Sequence, residues 1–234
     1  MTTDDMIATS APATTHSRER AVSVLLTILL VLITLISVAF AGWTVKDSAT
    51  PTDDSVEAGF ARDMQVHHAQ AVQMAFLIRD RTTDPTLRTV ALDIITSQQQ
   101  QMGQMFGWLT LWDLPQSGSS EPMAWMTSTS DEEMSMGDMT QDADAGPGMP
   151  GMASEAELQQ LEDSSGRRAE LIFLQLMIAH HRGGVQMAQQ ALELSDNPDV
   201  RTLAQAIATS QAAEIDQMQK LLQERNAQGP ADEG

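Results

Sequence analysis

The amino-acid sequence predicts an all-α protein: an antiparallel four-helix bundle built from two repeated helical hairpins and preceded by one transmembrane helix. Three observations carry this prediction, namely an internal repeat, matching helix-start signals in both copies of it, and one long uncharged apolar segment near the N-terminus. A length of 234 residues suits one modest domain with appendages rather than two domains.

The internal repeat spans residues 60–109 and 173–222, which align without a gap and are identical at 19 of 50 positions. Each copy contains the frame Phe-x3-Met-x2-His-His-x3-Val-Gln-Met-Ala, so the pairs His67-His68 and His180-His181 occupy equivalent places. A repeat of this length indicates two copies of one supersecondary unit, each of which needs the other to bury its apolar face. Two helical hairpins of this kind close as a bundle.

Helix-start signals divide each copy into two helices. Asp84-Pro85 and Asn197-Pro198 each offer a capping side chain followed by proline at the first helical position. Asp54-x-x-Glu57 has the pattern of a capping box ahead of the first helix. The predicted helices run over 55–81, from 85 to about 114, from about 167 onward, and from 198 to about 226.

The apolar segment at residues 21–43 contains no charged side chain. At about 1.5 Å per residue it is long enough to cross a hydrocarbon core about 30 Å thick. Arg18 and Arg20 precede it, so the positive-inside rule predicts a cytoplasmic N-terminus and a single-pass cell-membrane protein with an extracytoplasmic C-terminal domain. The alternative is a cleaved signal peptide, because Ala39-Phe40-Ala41 has the form of a cleavage site. In both cases the domain is exported.

These signals predict the organisation of the whole chain. The linker between the repeats is rich in Ser, Gly and Pro and holds 12 acidic residues but no Lys or Arg, which predicts a mobile segment. Its Ser154-x-x-Glu157 predicts a helical extension leading into the third helix. The predicted parts are a cytoplasmic N-terminus (1–20), a transmembrane anchor (21–43), a linker (44–53), the bundle (54–226, with repeat one at 54–112, a Met-rich acidic linker at 113–166 and repeat two at 167–226) and a tail (227–234).

Composition excludes several classes of partner. Beyond Thr44 the chain holds 29 acidic and 11 basic residues, a net charge of −18, which argues against nucleic acid and anionic lipid as partners of the exported part. The absence of cysteine excludes a disulfide framework and a thiolate metal site.

The histidine pairs fall on the apolar stripes of their helices, where an unsatisfied imidazole costs about 1 to 3 kcal/mol. Hydrogen bonds, a metal or exposure at a cleft must therefore satisfy them. Adjacent residues on a helix diverge by about 100°, so His67 and His68 are not expected to chelate one ion as a compact pair. We expect one histidine of each pair to act with Met64 or Met177 and with a group from a facing helix.

Thioether and imidazole donors without cysteine favour copper over zinc, iron or magnesium. A di-iron site in a four-helix bundle would need Glu-x-x-His motifs, and neither His-His pair has Glu three residues before it. No Ser-His-Asp or phosphate-binding pattern is present, so the sequence predicts a binding protein and not an enzyme. For methionines on the apolar stripes, the simpler interpretation is gap-filling core packing.

The linker holds further methionines in polar, acidic sequence, where we expect no core for them to fill. Closely spaced thioethers suit Cu(I), so these residues are predicted to collect copper weakly, the alternative being drift within a disordered segment. They are Met123, Met126, Met134, Met136, Met139, Met149 and Met152.

The second copy carries the pattern Met-x2-His-His followed by Ile-x3-Gln-x2-Glu-Ile-x2-Met, whereas the first copy has Gln101-Met102 where the pattern has Glu-Ile. At these residues the chain resembles domain-of-unknown-function family 305, the CopM-like copper-binding proteins. The resemblance covers about residues 54–225 and implies a ferritin-like bundle that binds copper in the periplasm or outside the membrane. The predicted metal ligands are Met64, His67, His68, Met74, Met177, His180, His181, Met187, Glu214 and Met218.

Two functional hypotheses follow. The first is a membrane-anchored extracytoplasmic protein that buffers or hands on Cu(I), with a copper-handling protein or a second copy of the chain as its partner. The second is a metal-independent helical interaction module of the cell envelope. In that case the histidines would hydrogen-bond the polar residues on the facing stripes, which are Gln98, Gln101, Gln211 and Glu214.

Overall fold

A computed structural model describes residues 15–44, 50–127 and 148–227 of the chain. The chain divides into two compact units, residues 1–49 and residues 50–234. Within the described ranges all regular structure is helical, with six α-helices, one 3-10 turn and no strands, which confirms the all-α class. Parts of the predicted N-terminus (1–14), linker (45–49) and tail (228–234) lie outside the described residues.

The first unit contains helix α1, Thr15–Thr44. Its large apolar side chains between Val24 and Ile36 are exposed. Among the residues that the structure describes, no helix has both the length and the apolar character that crossing a membrane requires. The predicted transmembrane anchor at 21–43 is therefore not supported.

In the second unit, α2 (Val56–Arg81) and α3 (Pro85–Leu111) form the first hairpin. Asp84 caps α3 as predicted, because its carboxylate accepts from the backbone N–H of Leu87 at 2.8 Å. The capping box predicted for α2 is wrong. Ser55 is the cap, with its hydroxyl accepting from the N–H of Ala58, and Glu57 instead accepts from the Ser195 hydroxyl across the bundle.

The second hairpin consists of α5 (Gly166–Leu194) and α6 (Pro198–Ala227), preceded by the short helix α4 (Glu155–Glu162). The predicted capping box at Ser154 and Glu157 is confirmed. It opens a separate helix and not an extension of α5, because α4 ends at Asp163 and Gly166 then turns the chain with φ +53°.

The two hairpins meet along α2 and α5. One apolar core joins the C-terminal half of α2 to the N-terminal half of α5, and a second core joins the opposite halves, so α2 and α5 run antiparallel. The outer helices α3 and α6 contribute to both cores. This arrangement places the middle of α2 against the middle of α5, where the His-His pairs lie. The ferritin-like classification stays a prediction.

Equivalent contacts in the two repeats show that the hairpins are related by a pseudo-twofold axis. The Thr82 hydroxyl donates to Glu170 at 2.5 Å, and the equivalent Ser195 hydroxyl donates to Glu57 at the same distance. Each of these bonds joins the end of one long inner helix to the start of the other. A twofold axis between α2 and α5 requires such a pair of equivalent bonds, one in each direction between the repeats.

The expectation of a mobile linker is wrong for its described parts. Trp125, in the 3-10 turn Ala124–Thr127, is 4% exposed, packs edge-on against Phe60 with ring centroids 5.8 Å apart, and donates to Asp63 at 2.8 Å. Leu158 and Leu161 of α4 join the core. Burial of these apolar side chains against the bundle stabilises the described parts of the linker, although the surrounding sequence is polar.

Several linker methionines also pack against the bundle, contrary to the expectation that no core would receive them. Met149 is 4% exposed, and Met123 and Met126 lie against the core that contains Trp125. Met134, Met136 and Met139 lie outside the described residues.

Candidate metal centre

The centre of the bundle is a pair of stacked imidazoles. His67 of α2 and His180 of α5 face each other with ring centroids 3.8 Å apart and planes inclined by 35°. Because His67 and His180 are equivalent residues of the two repeats, their contact lies on or near the pseudo-twofold axis. All four histidines of the two pairs are fully buried, which confirms their predicted place inside the bundle.

The second histidine of each pair points to the neighbouring helix of its own hairpin. The Nε2 of His68 lies 2.7 Å from the Gln101 side-chain oxygen, and the Nε2 of His181 lies 2.6 Å from a Glu214 carboxylate oxygen. The two histidines of a pair therefore diverge, as their spacing predicted. Gln98 and Gln211, also predicted as hydrogen-bond partners, are buried, and their side-chain amides find no hydrogen-bond partner in the part of the chain that the structure describes.

A strap formed by residues 149–153 covers His67. The Pro150 carbonyl accepts from His67 Nε2 at 3.1 Å. The amide of Gln70 holds the strap in place, since it donates to the Ala153 carbonyl at 2.8 Å and accepts from the Ala153 N–H at 2.7 Å. A side chain at Gly183 would bring a Cβ within 1.8 Å of the Pro150 carbonyl oxygen, so the strap needs glycine there.

The strap and Gln70 are site residues that sequence reasoning missed. One signal was present, because Gly183 and Gly184 replace Gln70 and Ala71 of the first repeat. A glycine inside a helix marks a close approach of another chain segment. Identifying that segment requires the structure.

The buried imidazoles are held in the neutral form. Burial lowers the pKa of His67 to about 4, partly offset by its bond to the Pro150 carbonyl, and lowers the pKa of His68 to about 3. Burial and then the neighbouring imidazoles depress the pKa of His180 well below its usual value. A backbone group of His67 close to the His180 ring raises the pKa of His180, but by less than burial and the neighbouring imidazoles lower it. At neutral pH these three rings therefore keep a free lone pair.

Five ring nitrogens in this cluster have no hydrogen-bond partner among the described residues. They are Nδ1 of His67, His68 and His181, and both Nδ1 and Nε2 of His180. Buried polar atoms of this kind are rare in native proteins and call for a physical explanation.

The predicted methionine ligands lie in the two apolar cores, on either side of the histidine cluster. All are fully buried, so packing alone accounts for their positions, and ligation by their thioethers stays a prediction. Met64 and Met187 lie in one core, and Met74, Met177 and Met218 lie in the other. Met105, which was not predicted as a ligand, is the equivalent of Met218 in the first repeat and lies in the core of Met64 and Met187.

Within the described ranges, no three His, Cys, Asp or Glu side chains converge as a metal-binding group. Beside the imidazoles, the soft donors that the bundle interior offers are the thioethers of the two cores. That mixture is the one predicted from the sequence, and it suits copper.

Comparison with known proteins places these features in a family. The model of the domain of unknown function DUF305 matches residues 57–222. A crystal structure from Streptomyces coelicolor, described as a candidate secreted DUF305 protein, is 44% identical over 75% of this chain and 96% of its own, with a TM-score of 0.65. A DUF305 fragment from Deinococcus radiodurans is 35% identical over 72% of this chain and 96% of its own, with a TM-score of 0.56.

The fold of this chain is also similar to that of CopM. Its Cu(II)-bound form is 24% identical over 73% of this chain and 97% of that chain, with a TM-score of 0.52. It has also been solved in a Cu(I)-bound form. No curated protein matches the chain.

Proposed function

The chain belongs to the DUF305 family, and we propose that it is an extracytoplasmic copper-binding protein that buffers or hands on Cu(I) through the histidines and methionines at the centre of its bundle. The observation that carries this proposal is the cluster of four fully buried imidazoles with five unpartnered ring nitrogens.

The energetics of the cluster support a ligand. Each buried nitrogen without a partner costs about 1 to 3 kcal/mol, a penalty that apolar side chains of similar volume would avoid. Metal coordination satisfies such nitrogens. The lowered pKa values of His67 and His68 keep their rings neutral at neutral pH, so copper would not compete with protons for them. The copper-bound structures of CopM add support from the same fold.

The location is part of the proposal. The description of the Streptomyces coelicolor relative as a candidate secreted protein supports an extracytoplasmic site. Attachment to the cell membrane through residues 21–43 rests on their uncharged sequence and on the exposed apolar side chains in the described part of α1. Fractionation of intact cells tests it: the anchor predicts that the chain stays in the membrane pellet after an alkaline wash, and release into the medium would indicate cleavage.

Competition for Cu(I) tests the binding proposal. Full-length protein is titrated under reducing conditions against a chromogenic Cu(I) chelator. We expect the wild type to retain copper and a variant with His67, His68, His180 and His181 all changed to Asn to lose it. His16→Asn, which removes the one histidine outside the repeats, is the matched control and should behave as wild type.

A single variant guards against misfolding of the fourfold one. Among the described residues the ring nitrogens of His180 have no hydrogen-bond partner, so His180→Asn breaks no hydrogen bond there. We expect it to fold, as circular dichroism would show, and to bind copper at least about tenfold more weakly, the lower range for loss of a metal-site group. Copper retention equal to wild type in both variants would refute the proposal.

The metal-free interaction module has one specific observation in its favour. His68 and His181 already hydrogen-bond Gln101 and Glu214, and the core methionines are fully packed. Thermal unfolding separates the two functions. Copper binding at a hundredfold excess over the dissociation constant would stabilise the fold by about 2.7 kcal/mol, whereas the interaction module predicts no shift and no copper uptake.

A further inference from the structure

The C-terminal part of α3 is an outer helix surface without charge. Residues 94–112 contain no Asp, Glu, Lys or Arg, although the chain beyond Thr44 carries a net charge of −18. Within this stretch the side chains of Phe106 and Leu111 are 54% and 81% exposed. Trp108 lies three residues before Leu111, beside it on the helix surface, and is half-buried. We call the exposed residues between positions 96 and 111 the α3 face.

The second repeat shows that the bundle does not require this composition. The equivalent stretch of α6, residues 207–225, holds five charged residues, which include the exposed Asp216 and Glu224. These two residues are the equivalents of Gly103 and Leu111. Because α3 and α6 occupy equivalent places in a pseudo-twofold bundle, the packing of the bundle does not account for the uncharged α3 face.

The composition of the α3 face is typical of a protein–protein interface. The centre of such an interface is depleted of charged residues and enriched in aromatic side chains, and exposed apolar patches mark interaction sites. Charge then indicates the kind of partner. A basic partner would be expected to bind the acidic surface that covers most of the chain, whereas an acidic partner can approach only where carboxylates do not face each other. A second copy of this chain is such a partner.

We propose that two copies of the chain pair through their α3 faces. The face occurs once in each chain, since α6 carries charge at the equivalent positions, so pairing about a twofold axis closes at a dimer. The face is about 28 Å long and about 10 Å wide, which is smaller than the about 800 Å² per partner of a standard interface. The dimer is therefore reversible and exchanges with the monomer at micromolar concentrations.

Sedimentation velocity of full-length, copper-free protein in detergent micelles tests the pairing. The wild type should shift from monomer to dimer as its concentration rises through the micromolar range. Gly103→Asp combined with Leu111→Glu should weaken the dimer at least about tenfold, because the added carboxylates of the two copies repel each other across the twofold axis. Gln217→Glu combined with Gln223→Glu, the matched control, adds two carboxylates at exposed positions of α6 and should leave the dimer unchanged.

The α3 variant should fold, because α6 already carries Asp and Glu at the equivalent positions, and circular dichroism checks this. Hydrogen exchange of the wild type locates the interface without any substitution. Residues 96–111 should gain protection between dilute and concentrated protein, and residues 207–225 should not. Protection gained along α6 and not along α3 would overturn the proposal.

Two further results would overturn the pairing. A wild type that stays monomeric throughout the micromolar range would leave the α3 face to another occupant, such as a different protein, the membrane surface or another segment of this chain. A dimer that the α3 variant retains in full would be formed by another part of the chain, such as the apolar segment at residues 21–43. None of these results depends on copper, so the pairing and the proposed function can fail separately.

Discussion

His180 shows the conflict between stability and function at the scale of one residue. Its ring is fully buried and lies against the ring of His67, yet within residues 15–44, 50–127 and 148–227 neither ring nitrogen has a hydrogen-bond partner. His181, its neighbour in sequence, bonds Glu214 at 2.6 Å. In the metal-free protein, His180 is therefore expected to lower the free energy of unfolding and His181 to raise it, although both belong to the same His-His pair.

Substitution with leucine measures this difference. His180→Leu removes two unsatisfied nitrogens and should stabilise the metal-free protein or leave it unchanged, whereas His181→Leu strands the Glu214 carboxylate and should destabilise by about 1 to 3 kcal/mol. Urea unfolding in the presence of a copper chelator provides both values. A larger loss in His180→Leu than in His181→Leu would mean that His180 has partners in the metal-free protein.

The depressed pKa values predict how stability depends on pH. The folded pKa values of His67 and His68, about 4 and about 3, lie below the unfolded value of 6.5. Below pH 6.5 the unfolded state binds protons first, so the metal-free fold should lose stability as pH falls, by up to about 1.4 kcal/mol per pH unit for each histidine. The groups facing these rings are the imidazoles of His180 and His181, the Pro150 carbonyl and the Gln101 side chain.

Urea unfolding between pH 7 and pH 4.5 measures that slope. His67→Asn should reduce it and His16→Asn should leave it unchanged. Stability that is flat over this range would show that the histidines are not buried in the neutral form.

The burial of the histidines could be predicted from the sequence, because helical periodicity places both pairs on apolar stripes. Their individual partners could not. Gln98 and Gln101 lie on the same stripe of α3. The way α2 packs on α3 decides that Gln101 reaches His68, while the Gln98 amide has no hydrogen-bond partner among the described residues. The His67 and His180 stack depends on the crossing of two helices more than 100 residues apart in sequence.

At the scale of an element, the strap at residues 149–153 relies on a glycine in another helix. Gly183 of α5 has the Pro150 carbonyl where a Cβ would lie, whereas Gly107 of α3 has nothing within 4 Å. Both are helical positions, so they form a matched pair. The first glycine provides space for the strap, and the second only lowers helix propensity.

Alanine substitutions separate these roles. Gly107→Ala should stabilise the protein by about 0.5 to 1 kcal/mol through helix propensity. Gly183→Ala gains the same propensity but must displace the strap, so it should destabilise and raise hydrogen exchange at the Ala153 amide, which Gln70 now protects. Equal stabilisation by both substitutions would indicate that the strap does not lie against α5.

The boundaries of the helices follow from capping chemistry, and they could be predicted within a few residues. The N-cap of α2 was assigned to Asp54 instead of Ser55 because both residue types are good N-caps. Glu57 does not complete a capping box, because its carboxylate accepts from the Ser195 hydroxyl. The order of the linker could not be predicted, since composition does not reveal that Trp125 packs on Phe60 and donates to Asp63.

For the whole molecule, the bonds that join the hairpins are unequal despite the twofold relation. Glu57 accepts a hydrogen bond from Ser195, whereas its equivalent Glu170 accepts one from Thr82 and another from Arg225, the latter at 2.7 Å. Arg225 is 5% exposed, so its charge depends on such partners.

Alanine at these two glutamates tests the coupling of the hairpins. Glu57→Ala should cost about 1 to 2 kcal/mol, the value of a hydrogen bond to a charged group. Glu170→Ala should cost more, about 3 kcal/mol, because it removes one of the two carboxylates that pair with the buried Arg225 and leaves it Asp84, 3.0 Å away. Denaturant unfolding gives both values, and equal losses would mean that Arg225 draws its compensation from another group.

The pairing of the repeats around an axis could be predicted from the gapless repeat alone, because each hairpin has an apolar face that only the other can bury. The sequence could not indicate that the strap breaks this symmetry by covering His67. Two side chains of α2 bond the strap, His67 at the Pro150 carbonyl and Gln70 at Ala153. The equivalent of Gln70 in the second repeat is glycine.

The central claim is that copper binds at the histidine cluster between α2 and α5. Diffraction from Cu(I)-loaded crystals at the copper absorption edge tests it most directly. The account predicts an anomalous peak within bonding distance of ring nitrogens of the His67-His68 and His180-His181 pairs. Copper found only on surface carboxylates or linker methionines, with the central imidazoles unoccupied, would contradict it.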